Sequence, residues 1–456
     1  VRKFVQATRY TFGENSKCAK IYQGYDSDRL FRGRQTSAGT EGRINGIPKE
    51  HSGGCAKRMK IAICSVQEFN PMVGGIERVS VSLAQELINR GHEVVFVSCR
   101  KSPYSKPYDL PAKQYTLPSA EDYAWENVEE LCGILLREGV DVVLNQNAHS
   151  ELYNRMIAEV RGKSGVPVVS ALHFDPMSRI ASNRHLIDFR FNTLKQNVVG
   201  ALKMLVTTWP LTYFSMRSQK RLLRNLYLKS DGVVLLSKTF LKPYVRLAGL
   251  EDCDKLCVIN NMLSWPLEFG IKTEKENIVL FVGRLMWSQK RPEQLLKAWR
   301  KLEERLPGWR VLIVGDGPER NILEGFANEL NLRNVSFEGF RDPVEYYKKA
   351  KIYVMTSSHE GWGLTLSEAM QYGCVPIVYD TFSSVTDQIT DGENGYLVHP
   401  FDVDELAEKI FMLANDEDLR HRMSEKAIES RERFIPERIA QEWERVFSKV
   451  IKGKNV

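Results

Sequence analysis

A chain of 456 residues, 43% hydrophobic and 27% charged, is too long for one ordinary core and suits two domains of about 200 residues each. The formal charge of +7 resides in residues 1–58, which hold 12 Lys/Arg against 5 Asp/Glu; from Met59 onward 52 basic and 52 acidic residues cancel. That balance argues against a nucleic-acid-binding module, and no apolar stretch of 18 or more residues is free of charge, so no convincing transmembrane span is present.

Residues 1–58 start with Val, are rich in Gly, Ser, Lys and Arg, and lack the continuous apolar run of a secretory signal. At Met59 the texture changes to KIAICSV, a short β-rich apolar run. The expectation is that Met59 is the natural start and that 1–58 is upstream translated sequence or a disordered extension. The competing reading is a basic arm for nucleic acid or an anionic membrane.

From Met59 on, short apolar strand candidates alternate with amphipathic helical patterns. The first half offers 60–66, 93–98, 140–145, 166–172, 232–237 and 256–260; the second offers 278–283, 310–315, 334–338, 352–356 and 374–378. Such alternation predicts an α/β protein with two Rossmann-like, doubly wound parallel-sheet domains. The expected division is a first domain over 59–262, a second over 263–436, and a closing helix in 437–456 that starts after Pro436 and packs back toward the first domain. The eight cysteines are scattered, several within strand candidates (Cys64, Cys99, Cys257, Cys374), and Cys253 and Cys257 lack a second ligand pair. They read as buried reduced thiols of a cytosolic protein.

Between strand candidates lies an insertion, 178–230, whose stretch 184–229 carries 9 Lys/Arg against one acidic residue, interleaved with apolar and aromatic side chains. A basic, apolar-faced helical pair is what a membrane-surface protein presents to anionic lipid. A lobe that packs its apolar residues inward and solvates its bases has the same pattern, so both readings stand.

The chemistry-bearing segments follow the strands. In VGGIERV (73–79), Gly74 and Gly75 permit a tight turn and close backbone approach to a phosphate before a helix start; Glu77 and Arg78 are expected to serve that helix. Asn145 and Asn147, in VVLNQNAH, end a strand and would bind acceptor or shape the cleft, while His149 is read as structural. His173 ends the strand VPVVSALHF at the presumed cleft, although a lone His is more often a satisfied structural residue. In VGRLMWSQKRPEQLL (282–296), Arg284 and Lys290 put two cations at a strand's carboxyl end, placed to neutralise a leaving diphosphate; Arg291 reads as an ordinary surface base. VGDGPER (314–320) brings Gly315 and Gly317, with Asp316 as a candidate turn cap, and FEGF brings Phe340.

The strongest signal is SSHEGWGLTLSEAMQYGCVPIV (357–378), a strand end, a Gly-rich loop and a helix starting near Leu364. Glu360 in the loop and Glu368 on the helix would reach different parts of one elongated ligand, and the helix-start N–H groups suit an anion or sugar oxygens. EGWGLTLSEAM resembles the E-x7-E signature of glycosyltransferase family 4, and the resemblance runs over nearly all of 59–450. It implies the GT-B fold and a retaining hexosyltransferase that takes a nucleotide-diphosphate sugar, UDP favoured over GDP. The acceptor would be a glycan or a lipid-linked glycan of cell-surface polysaccharide biosynthesis. By that resemblance Glu360 faces the donor sugar hydroxyls and Glu368 the ribose. The backbone of Gly361, Trp362, Gly363 and Leu364 lines sugar and diphosphate, and Arg284 and Lys290 grip the diphosphate. Gly315, Gly317 and Phe340 lie near the nucleotide, Gly74 and Gly75 reach the donor phosphate from the opposite domain, and His173 lies near the sugar. No D-x-D-like metal pair is evident in a suitable loop, and the leaving diphosphate would itself assist acceptor deprotonation, so neither metal nor cofactor is expected. The protein would work in the cytoplasm or at the inner face of the membrane, where 184–229 would supply peripheral contact. The alternatives are a nucleotide-sugar epimerase or phosphorylase on the same fold, or a non-catalytic nucleotide-sugar-binding protein.

Overall fold

The computed structural model describes residues 58–101, 108–177, 198–264 and 274–453, with backbone only over 198–212. Residues 1–57 of the expected extension and 178–197 of the insertion lie outside the described residues.

Two all-parallel sheets carry the molecule. The first has seven strands in the order β3-β2-β1-β4-β5-β6-β7. They are β1 (Lys60–Gln67), β2 (Glu93–Arg100), β3 (Lys113–Thr116), β4 (Val142–Asn145), β5 (Val168–Leu172), β6 (Gly232–Leu235) and β7 (Leu256–Val258). The second has six, β10-β9-β8-β11-β12-β13: β8 (Glu276–Val282), β9 (Arg310–Val314), β10 (Val335–Gly339), β11 (Ala350–Met355), β12 (Val375–Tyr379) and β13 (Tyr396–Val398). Helices cover both faces of each sheet, so a strand must be apolar on both of its own; in KIAICSVQ every residue from Ile61 to Val66 is buried. The short β3 and β13 escaped the sequence reading because each is an edge strand of four or three residues with part of its side chains exposed.

The crossover helices of the first domain are α1 (Gly75–Asn89), α2 (Trp125–Glu138), α3 (Glu151–Ser164), α4 (Val198–Lys229) and α5 (Leu241–Ala248). Those of the second are α6 (Pro292–Arg300), α7 (Arg320–Glu329), α8 (Val344–Lys349), α9 (Leu364–Gln371), α10 (Val403–Asn415) and α11 (Glu417–Ser430). Where the sequence suggested a helical pair, the described part of the insertion is one continuous helix of 32 residues, α4, which runs through Pro210. From Gln219 on it is anchored by Leu223, Leu226 and Tyr227, which join the core around β6 and α5.

The chain passes from the first domain to the second between β7 and β8 and returns at 431–436, and the two passages meet where the Leu263 N–H donates to the Phe434 carbonyl (2.9 Å). The last helix, α12 (Pro436–Gly453), then lies on the first domain. Its Ile439, Ala440, Trp443, Val446 and Phe447 recur at helical spacing and complete the core that α1 and the first sheet share. Glu444 locks it there, accepting from Arg90 Nε (2.7 Å) and pairing with His92 Nε2 (2.9 Å).

In both sheets the connections reverse direction beside the first strand, between β1 and β4 and between β8 and β11. Crevices at the carboxyl ends of such strands are where open α/β sheets take ligands. The loops after β1, β5, β8 and β11 therefore face one another across the domain boundary.

Candidate active site

The second domain builds its half of the site from three loops laid side by side. Beyond the strand ends the backbone goes on pairing: Gly283 N donates to Val314 O (3.0 Å), Leu285 N to Asp316 O (3.0 Å) and Gly315 N to Gly339 O (2.8 Å). Gly315 has φ of +134°, and a Cβ there would stand 2.0 Å from the Gly283 carbonyl oxygen, so no other residue fits. A Cβ on Gly317 would likewise stand 2.4 Å from the Leu285 carbonyl oxygen. Asp316 accepts from the next residue's N–H (2.7 Å), a turn role. Phe340 stands 58% exposed beside this floor, with its ring in solvent.

On that floor the loop after β8 is tied to the loop after β11. Thr356 Oγ1 donates to the carbonyls of Lys290 (3.0 Å) and Arg291 (2.9 Å), and Ser358 N donates to Gln289 O (2.7 Å). Lys290 Nζ thereby meets Glu360 Oε1 at 2.6 Å, both side chains largely buried. Arg284 is exposed and has no ion-pair partner among the described residues. Arg291 is not the surface base the sequence suggested. It is 8% exposed in the left-handed region (φ 50°), paired with the buried Glu293 (3.2 Å) and stacked over Phe401 (4.3 Å). Such a conformation costs about 1–3 kcal/mol and persists only where the surroundings hold it. Here they set the turn that presents Lys290.

The first domain meets this half directly. A Cβ on Gly361 would lie 1.8 Å from the carbonyl oxygen of His173, so the loop after β11 touches the loop after β5 with no room for a side chain. Gly75, which follows Gly74 at the start of α1, faces Leu364 at the start of α9. Ser383 donates to Asp175 (2.6 Å). Trp362, whose backbone was expected to line the ligand, turns its side chain inward. Its ring is 2% exposed and edge-on to Phe434 (5.3 Å), inside a cluster that includes Leu235 and Phe240 of the first domain; only its backbone is left for a ligand. Gly363 caps α9 from the left-handed region.

His173 is buried and its Nε2 lies 2.6 Å from Gln146 Oε1. Burial, and secondarily the neighbouring His149, push its pKa down to about 3, so the ring is neutral at working pH. A neutral imidazole here can hydrogen-bond and hold a loop; as a proton carrier it is mistuned. His149 packs edge-on to Phe174 (5.0 Å). Asn145 and Asn147 shape the floor of the first domain. Asn145 donates to Asn154 (2.8 Å) and accepts from Asn147 N (2.9 Å), while Asn147 accepts from Ser65 (2.7 Å).

Glu368 is 1% exposed, and both its oxygens are engaged. Oε2 accepts from the Tyr347 hydroxyl (3.0 Å) and Oε1 from Arg78 Nη1 (2.8 Å) of the opposite domain. Burial, then the Glu368 charge, push the Tyr347 phenol well above its usual range, so it remains a donor. Arg78 was assigned to its own helix by sequence, yet it reaches across the cleft. One signal was legible: a cation in the first turn opposes the positive end of the helix dipole and serves the helix poorly. Glu77, by contrast, folds its carboxylate over Gly74 at the helix start.

The structure thus brings together Lys290 with Glu360, Gly361 with His173, Gly75 with Leu364, and Glu368 with Arg78. It leaves Arg284 and Phe340 at the rim. What is assembled is two carboxylates and a buried-stem cation around helix-start N–H groups, suited to a polyhydroxylated anion.

Comparison with known proteins points the same way. Residues 73–264 match the family described as Glycosyltransferase Family 4, and 268–430 match Glycosyl transferases group 1. Among relatives, an uncharacterised glycosyltransferase of Haemophilus influenzae is 25% identical over 81% of this chain and 95% of its own length. The N-acetyl-alpha-D-glucosaminyl L-malate synthase of Bacillus anthracis is 24% identical over 84% and 96%. A Campylobacter jejuni alpha-1,4-N-acetyl-D-galactosaminyltransferase, named for an undecaprenol-diphosphate-linked acceptor, is 32% identical over 47% of this chain and 66% of its own length. Of solved structures, an Anabaena protein in complex with UDP and glucose superposes with a TM-score of 0.64 at 18% identity, covering 86% of this chain and 100% of that one.

Proposed function

This chain belongs to glycosyltransferase family 4, two Rossmann-like domains in the GT-B arrangement, and from that premise we propose that it is a retaining hexosyltransferase using a UDP-sugar donor. The observation that carries the proposal is the Lys290–Glu360 pair (2.6 Å) at the second domain's strand reversal, closed over by the first domain at Gly361. A departing diphosphate takes Lys290 from Glu360, which leaves the carboxylate to accept from the sugar hydroxyls. Arg284 at the rim adds a second cation, and the N–H groups at the start of α9 complete an electrostatic cradle for developing charge. His173, neutral and paired with Gln146, is mistuned as a proton carrier, which suits a same-face reaction in which the leaving phosphate oxygen takes the acceptor's proton. Protein cations supply the charge neutralisation, so the reaction proceeds without metal. Incubation with UDP-, GDP- and ADP-sugars in a melting assay selects the donor, because stabilisation by a ligand grows with the logarithm of its excess over Kd. Turnover in EDTA with the donor anomer retained in the product, read by NMR, supports the reading. Inversion, or an absolute metal requirement, overturns it.

The acceptor we place on a glycan at a membrane surface, in polysaccharide or glycan biosynthesis. Helix α4 holds six Lys/Arg and no acidic residue, and Tyr213, Phe214 and Met216 stand exposed on it. Aromatic side chains flanked by cations suit an anionic lipid surface. The relative with an undecaprenol-linked acceptor favours the same chemistry. Among the described residues no helix is long and apolar enough to cross a membrane, so contact would be peripheral.

A further inference from the structure

We infer that Arg78 is a positioning residue that gates the donor, a cross-domain latch whose hold on Glu368 must be released before the nucleotide can enter. The inference rests on the proposed donor reading and adds to it a residue that controls access.

Glu368 sits on α9 of the second domain, 1% exposed, with Oε2 on Tyr347 (3.0 Å) and Oε1 on Arg78 (2.8 Å). A ligand hydroxyl cannot reach a carboxylate so enclosed unless something moves. Tyr347 cannot readily do so, because it is fully buried in the second domain's core between Tyr353 and Tyr372. Arg78 can, since it belongs to the other domain and travels with it. On its own domain its Nε donates to Pro71 O (3.2 Å). Other cross-domain contacts at the cleft, Gly361 on His173 O, Gly75 on Leu364, Ser383 on Asp175 (2.6 Å) and the Trp362 ring packed with Leu235 and Phe240, carry no charge pair. Arg78–Glu368 is the ion pair of this boundary among the described residues, and its carboxylate is almost wholly removed from water. Charge-assisted bonds of this kind are the strong ones.

A protein whose binding-competent form is only partly populated binds its ligand more weakly by that fraction. The latch therefore has a signed consequence. Loosening it raises the open population and tightens nucleotide binding, whereas loss of an ordinary donor contact weakens it. The same loosening slows turnover, because the reacting complex must close again over Lys290 and Glu360.

The test compares the full-length protein with Arg78→Met and Arg78→Lys, using UDP as the probe in calorimetric titration and small-angle scattering of the nucleotide-free proteins. The expected result is UDP bound about five-fold more tightly by Arg78→Met than by wild type, a lower donor KM with a lower kcat, Arg78→Lys near wild type, and a larger radius of gyration for nucleotide-free Arg78→Met. Unchanged or weaker UDP binding by Arg78→Met overturns the latch. Should wild type bind no UDP, the donor reading fails, and the radius of gyration still decides the latch: equal radii overturn it. If Arg78→Met melts early, the same comparison is made with Arg78→Gln, which keeps a hydrogen-bonding side chain but removes the charge, and an unaltered radius and affinity there also overturn it.

Discussion

Lys290 carries the sharpest consequence at the scale of single residues. Its ammonium is tied to Glu360 at 2.6 Å with little solvent access, so charge that develops beside it is poorly screened. Lys290→Ala should lower kcat by about 10²–10³, the usual loss for one donor to developing charge, with melting temperature as the check on folding. Gly361 acts by absence. Gly361→Ala drives a methyl onto the His173 carbonyl, 1.8 Å away, and should prevent closure; turnover collapses while each domain keeps its fold, read by steady-state rates beside circular dichroism. His173 supplies a pH test. Its folded-state pKa is lowered to about 3 from an unfolded value near 6.5, so its contribution to stability is complete above the unfolded value and is lost as pH falls toward the folded one. Between pH 6 and 4 the wild type should lose about 1.4 kcal/mol more per pH unit than His173→Gln, which cannot titrate. Parallel stability curves in denaturant would remove the argument for a buried neutral ring.

Individual elements divide into those that hold the frame and one that reaches outward. Helix α12 leaves the second domain after Pro436 and buries Trp443 and Phe447 against α1 and the first sheet, so the two domains share one stabilising element. Trp443→Ala removes a large buried side chain and should cost about 3–5 kcal/mol, lowering the first domain's transition in a chemical denaturation series. Helix α4 has the opposite character, packed from Leu222 to Tyr227 and exposed at Tyr213, Phe214 and Met216. Sedimentation with vesicles containing phosphatidylglycerol should carry the protein down, and Tyr213→Ser with Phe214→Ser should release it; equal sedimentation with phosphatidylcholine alone would contradict an anionic-surface role.

For the whole molecule, the site exists only because two sheets present their carboxyl ends to each other. Each sheet contributes loops beside its strand reversal, and the pairings that matter cross the boundary: Gly361 with His173, Leu364 with Gly75, Glu368 with Arg78. A saturating UDP-sugar that binds between the domains should merge their unfolding into one transition raised by several degrees, since about 2.7 kcal/mol follows from a hundred-fold excess over Kd. Two unshifted calorimetric transitions would place the ligand elsewhere.

Alternation of apolar runs with amphipathic stretches made the two parallel sheets legible, because strands covered on both faces must be apolar on both, and this shows in a window of a few residues. The loop glycines, Lys290, Glu360 and Glu368 were legible for a related reason: they sit at strand ends and helix starts, positions that local pattern locates. Arg78 reaching Glu368, Arg291 buried in a left-handed turn, Trp362 withdrawn into the domain boundary and His173 held neutral were decided by tertiary structure alone. Each depends on what lies across a gap of tens to hundreds of residues, and burial or charge supplied from that distance leaves no trace in the neighbouring sequence.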